Sequence, residues 1–215
     1  MASRMVHYVI AKQLVKKLKI KDENAFILGA IIPDCYACDP NKVKSTSHFL
    51  KNYEDGRTYD YLTFYNQYLA DKQSDFALGY MLHLIMDCIN LKDIIAITVY
   101  TYPKEVRKQA VALLYEDMHV HNTLLKNKYN LIYDLIPLDD FEVEEIDIND
   151  QIPFLELFKQ DFIDVEIKPF HMLTQELLDA YMEKCMIEAY AILEKVINHQ
   201  HFDDPRKYVL IYSIG

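Results

Sequence analysis

The chain has 215 residues, 51% hydrophobic and 26% charged, with 23 Lys and Arg against 33 Asp and Glu for a formal net charge of -10. That length buries a substantial core without disulfides or metal staples, and 4 Gly and 7 Pro are too few for the tight turns of an all-β protein, so the composition excludes disorder, collagen and low complexity and points to an all-α fold. An acidic chain repels phosphate backbones, which excludes a broad nucleic-acid surface and leaves room for a small phosphate ester held by a metal.

Met1 to Leu18 carries Arg4, His7, Lys12, Lys16 and Lys17 and has no cleavage site after a long apolar run, so it does not read as a secretory signal. Within it His7, Ala11, Leu14 and Leu18 recur at helical spacing, which turns His7 toward the core. Asp22 caps a second helix carrying Phe26, Ile27, Ala30 and Ile31, and Pro33 ends it; the stretch from Asp34 to Phe49 reads as irregular. A short aromatic helix follows from Tyr59 to Ala70, and Ser74 caps a strongly apolar one running through Asn90.

Pro103 suits the first turn of a long amphipathic helix reaching about Lys126. The acidic run between Pro137 and Asp150 reads as a solvated excursion, and the last helix runs from near Thr174 to about Asn198. With no internal repeat and no linker, residues 1–215 read as a single helical domain. The longest nearly uncharged stretch, Phe76 to Ile89, is interrupted by His83 and Asp87 and is too short to be a transmembrane segment. The expected location is cytoplasmic, with Cys35, Cys38, Cys88 and Cys185 reduced.

The strongest chemical signal is His83 and Asp87, spaced i,i+4 in that apolar helix. They share one face, and a buried carboxylate there needs either a hydrogen-bonded histidine or, better, a divalent metal. Gly79, one turn earlier, leaves room for a metal or for an approaching helix. His7 on its apolar face, Asp34 directly after Pro33, and His48 within Ser47-His48-Phe49 are each unremarkable alone, as a satisfied core histidine or a turn residue. Cys35 and Cys38 have the spacing of a redox or zinc-knuckle pair but lack a second pair, and read as incidental thiols.

The order of these residues resembles the bacterial zinc-dependent phospholipase C family, whose superfamily includes fungal single-strand nucleases. The resemblance rests on Ser3-Arg4-Met5-Val6-His7, Leu28-Gly29-Ala30-Ile31-Ile32-Pro33-Asp34, Thr46-Ser47-His48-Phe49 and Leu78-Gly79-Tyr80-Met81-Leu82-His83-Leu84-Ile85-Met86-Asp87. It covers roughly the first 90 residues. It implies an all-helical bundle in which Asp34, His48, His83 and Asp87 hold one zinc ion while Asp87 bridges to a second held by His7. Asp34 is then a ligand or a catalytic base. Zinc, two ions in all, suits imidazole and carboxylate donors and phosphoryl hydrolysis by a metal-bound hydroxide.

Two features depart from the family. Exported members use a processed N-terminus as ligand, whereas this chain begins with Met1, and the His-x-x-x-Glu motif of a third zinc is missing, with Asp93 near the expected first position. Asp117 and His121, also i,i+4, are candidates for an additional metal or substrate contact, or else a helical salt-bridge pair. The implied activity is hydrolysis of a phosphate-ester or phospholipid substrate; the alternative is a non-catalytic helical scaffold with a structural metal or a buried polar cluster.

Overall fold

The computed structural model describes residues 3–39 and 41–211. α1 (Arg4–Leu18) opens on the Ser3 side chain, which accepts from the Met5 N–H, and closes on Lys19 at φ 56°. α2 (Glu23–Ile31) is capped by Asp22 as its sequence predicts. Pro33 does not release the chain into an irregular stretch. The helix tightens instead into a 3₁₀ turn, Ile32–Cys38, because a proline in a first turn gives up no needed donor.

A one-turn helix, α3 (Lys44–Ser47), ends at His48, and Phe49 at φ 52° redirects the chain into a hairpin. That hairpin, β1 (Leu50–Asn52) and β2 (Gly56–Tyr59), was not anticipated; β2 also pairs antiparallel with β3 (Leu210–Ile211) to complete a three-stranded sheet. Because Tyr59 is paired with Leu50 and Asp60 serves as the cap, the aromatic helix α4 starts later than predicted, at Tyr61, and runs to Tyr68.

α5 (Asp75–Asn90) is capped by Ser74, and every residue from Phe76 to Asn90 is buried. Helical winding continues through a π turn at Leu91–Ile95 and a short α6 (Ala96–Thr98). α7 (Arg107–Tyr129) follows a 3₁₀ turn that Pro103 precedes. α8 (Gln151–Lys159) and α9 (Gln175–Ile197) complete the helices, with α9 starting near Thr174 as its sequence predicts and the Thr174 side chain capping it.

The fold is all-α apart from the small sheet. α5 lies at its centre, packed by α2, α9, α4, α1 and β2. Two glycines set its closest approach. A Cβ on Gly79 would lie 1.9 Å from the Phe26 carbonyl oxygen, and one on Gly29 would lie 2.1 Å from the Phe76 carbonyl oxygen, so α2 and α5 meet backbone to backbone. Gly79 therefore makes room for a helix. The acidic run is not a free excursion either. Asp139, Asp140, Glu142, Glu144 and Asp147 are exposed, but Val143 and Ile146 are buried and Phe141 stacks on Phe76 at 4.4 Å. Its apolar residues are too few to show a period, which is why the charges dominated the sequence pattern.

Candidate metal centre

Four segments deliver the five histidines and aspartates that the sequence singles out in its first 90 residues. His7 comes from α1, Asp34 from the 3₁₀ turn after α2, His48 from the end of α3, and His83 and Asp87 from α5. All five are buried, the three histidines completely. Their ligand atoms converge in two sets within 4.8 Å, His7 with His83 and Asp87, and Asp34 with His48 and His83.

The α2–α5 contact fixes the shared imidazole. His83 Nδ1–H donates to the Ala30 carbonyl at 2.9 Å, which leaves the Nε2 lone pair aimed into the cluster. His48 is held by Ser47 Oγ at 2.9 Å from its Nδ1, and the Tyr80 hydroxyl donates to the Ser47 carbonyl, tying α3 to α5. His48 Nε2 then lies 3.1 Å from His83 Nε2, 3.3 Å from Asp34 Oδ1 and 3.6 Å from Asp87 Oδ2. The other Asp87 oxygen, Oδ1, is 3.5 Å from His7 Nε2, and the His7 ring stacks on His83 with centroids 4.0 Å apart.

This arrangement has too many acceptors for its protons. One ring proton on His48 Nε2 faces three of them: His83 Nε2, Asp34 Oδ1 and Asp87 Oδ2. Both His7 ring nitrogens and Asp34 Oδ1 are buried without a hydrogen bond, a costly condition for polar atoms. A divalent cation satisfies such a set at once. Donors 2.0–2.1 Å from a tetrahedral zinc lie about 3.3 Å from one another, close to the separations here, and nitrogen with carboxylate oxygen is a donor set that zinc accepts. The residues present therefore fit the ion that the resemblance implies.

The electrostatics keep these donors in ligand form. Burial pushes His48 down to about 4, helped by the Lys44 ammonium, and burial together with the neighbouring His7 holds His83 well below its ordinary value, so both are neutral near pH 7. Burial alone would raise Asp34 and Asp87. For Asp34 the close His48 nitrogen and His83 outweigh it, and for Asp87 Lys44 and His7 do, leaving both below the usual carboxylate range.

Sequence reasoning missed Lys44. Its ammonium donates to Asp87 Oδ2 at 3.0 Å and stands 5.1 Å from the Tyr59 ring centroid. The signal was present in its spacing, four residues before His48 on the same face of α3. Beside the cluster, Arg4, Asp34, Tyr36, Tyr115, His119 and Asp161 line a cavity of about 240 Å³. Arg4 forms a two-point pair with Asp161, at 2.7 and 2.9 Å, on its wall.

Asp117 and His121 are buried on α7 but join neither donor set. The Asp117 carboxylate accepts from the backbone N–H groups of His171, Met172 and Leu173, each at 2.8 Å, and His121 Nε2–H donates to the Leu173 carbonyl at 2.7 Å. The Phe170 ring stacks on His121 at 4.2 Å. The Asp117 carboxylate and His121 Nε2 are thus engaged by the segment entering α9, and neither residue joins the donor sets of the first 90 residues. Cys35 and Cys38 also stay outside both donor sets, and burial pushes the Cys35 thiol up to about 12.

Fold and cluster together define an all-α protein with a buried histidine–aspartate candidate metal centre. Residues 6–89 match the family model described as zinc dependent phospholipase C, and it is to this family that this segment of the chain is similar. The matched segment contains all five converging residues and excludes Asp117 and His121. No curated protein and no solved structure matches the chain.

Proposed function

We propose that the chain is a zinc-dependent hydrolase of phosphate esters acting in the manner of phospholipase C. The observation that carries this reading is the convergence of five buried His and Asp donors next to a cavity of ligand size. Asp34, His48 and His83, with Asp87 Oδ2 beside them, would hold one zinc ion, and His7 with Asp87 Oδ1 faces a second position. Zinc bound there supplies a Lewis acid for a phosphoryl oxygen and lowers the pKa of water to the neutral range.

The chain's own residues position and exclude. Of the five, Asp34 alone also lines the cavity, so it marks where a phosphate group meets the cluster. A carboxylate held below its usual range is a poor proton acceptor, which favours Asp34 as ligand over Asp34 as base. Cys35, pushed up to about 12, is not a thiolate at neutral pH, and the Ser47 hydroxyl is engaged by His48, which favours water as the nucleophile. Tyr36 and Tyr115 give the cavity aromatic surface for the organic part of an ester, whether a lipid headgroup or a soluble alcohol.

The test is a screen of phosphomonoesters, phosphodiesters and short-chain phospholipids against zinc-loaded protein, chelator-treated protein and His83→Ala. Turnover should vanish with chelator, return with zinc and fall at least a hundredfold in His83→Ala. No turnover by zinc-replete protein on any ester would shift the reading to a non-catalytic helical scaffold, and equal turnover by wild type and variant would remove the cluster from the reaction.

A further inference from the structure

We propose that Arg4 and Asn122 form a donor face in the cavity beside the cluster, one that recognises an anionic group on the alcohol side of the ester. The inference rests on the reading of that cavity as the ester site, and it names the class of ester the site takes.

Ser3 and Arg4 from the start of α1, Asn122 from α7 and Asp161 from the 3₁₀ turn Gln160–Phe162 line the same cavity as Asp34. Arg4 is fixed there. Its Nε and Nη2 donate to the two Asp161 oxygens at 2.7 and 2.9 Å, and its side chain is only 19% exposed. Among the described residues this leaves Nη1 and the second Nη2 proton without a partner. Asn122 is held in a similar way. It is 4% exposed, its Oδ1 accepts from the Ser3 hydroxyl that also caps α1, and among the described residues its amide N–H groups have no partner. Both side chains are therefore oriented before a ligand arrives, and what each leaves unspent is a donor.

The charges on this wall favour an anion over a cation. Asp161 is the carboxylate that a cationic headgroup would need, and both its oxygens are engaged by Arg4. Asp34 faces His48 Nε2 inside the cluster at 3.3 Å. The N-terminal end of α1 adds the positive pole of a helix dipole, since its cap and its first residue both line the cavity. Tyr36 and Tyr115 are of the residue type that attracts a quaternary ammonium, but the Arg4 guanidinium lining the same cavity opposes one. A guanidinium edge instead matches the paired oxygens of a carboxylate or phosphate. At about 240 Å³ the cavity falls below the about 300–1,000 Å³ of drug-sized sites, so the arm that carries this oxyanion is short.

Calorimetry on the zinc-loaded full chain tests this with three small phosphates that differ in the arm: phosphoglycolate, whose arm ends in a carboxylate, ethyl phosphate, whose arm is neutral, and choline phosphate, whose arm is cationic. Wild type should bind phosphoglycolate about tenfold or more tightly than ethyl phosphate, the worth of hydrogen bonds to a charged group, and choline phosphate no more tightly than ethyl phosphate. Arg4→Met/Asp161→Asn removes the ion pair without leaving one charge buried alone. In that variant the preference for phosphoglycolate should disappear, while ethyl phosphate affinity and zinc content by elemental analysis stay as in wild type. Asn122→Asp, which keeps the acceptor for Ser3 and replaces the amide donors with a negative charge, should lose the preference too, and it carries the test if the double variant does not fold. An unchanged preference in the folded variants, equal loss for all three ligands, or tighter binding of choline phosphate than of phosphoglycolate by wild type would overturn the donor face. The hydrolase reading is judged separately by ester turnover: turnover without the preference would leave it standing and remove the donor face, and the preference without turnover would do the reverse.

Discussion

α5 and α7 each carry a buried histidine and a buried aspartate one helical turn apart, and the two pairs do different work. On α5, His83 presents Nε2 and Asp87 both its oxygens to groups arriving from α1, α3 and the turn after α2, and together they form a set with more acceptors than protons. On α7, Asp117 takes three backbone N–H groups and His121 returns a donor to the same segment, so nearly every strong interaction is made with residues 171–173. Spacing places two side chains on one face of a helix. What faces them decides whether they hold a metal or a loop.

The largest contrast should come from removing one carboxylate at a time. Asp87→Asn should lose at least a hundredfold in zinc affinity, since a charged oxygen donor near both His7 and His83 is replaced by an amide. Asp117→Asn should keep the wild-type zinc stoichiometry. Elemental analysis of the two purified variants checks this, and equal zinc in both would erase the distinction between the helices.

Acid provides the next separation. In the metal-free protein, His48 at about 4 and His83 well below its ordinary value stay neutral while the same histidines in the unfolded chain take up protons below about 6.5. The unfolded state then binds more protons, so stability is full above about 6.5 and falls as the pH drops from there toward 4, by about 1.4 kcal/mol per pH unit for each such histidine. His121 is lowered too, by burial, though less far. Denaturant melts of chelated protein from pH 7 to 4.5 should therefore show a slope that His83→Gln relieves more than His121→Gln; a flat profile contradicts the electrostatic account.

Gly79→Ala sharpens the comparison through the backbone. Its Cβ would meet the Phe26 carbonyl, so α2 must move away from α5 at a cost of about 1–3 kcal/mol, or roughly 2–4 °C in melting temperature for each kcal/mol. Because the displaced α2 carries the Ala30 carbonyl that orients His83, zinc affinity should fall by about 10–100-fold as well. A stability loss with unchanged zinc affinity would show that His83 does not depend on that carbonyl. α7 contains no glycine, and no equivalent coupling is expected there.

Much of this was legible in the chain. Asp22 and Ser74 are caps both by sequence and in the structure, because a cap is a local hydrogen bond between a side chain and the next turn. The order of His7, Asp34, His48, His83 and Asp87 was legible through family resemblance, and each residue alone was ambiguous. Local pattern also predicted that His7 faces inward, since helical period fixes which residues share a buried face.

Tertiary structure decided the rest, for reasons that no window of sequence contains. Gly79 could have accommodated a metal or a helix, and only the reciprocal position of Gly29 across the contact shows it to be a helix. The sheet depends on β3 arriving from residues 210–211 to pair with β2, a partner some 150 positions away. Asp117 needed the 171–173 backbone to reveal its use, and Lys44 needed Asp87. Periodicity states which side of an element is buried; the identity of the group buried against it is set by chain segments far away in sequence, and the chemistry of a buried carboxylate is fixed by that group.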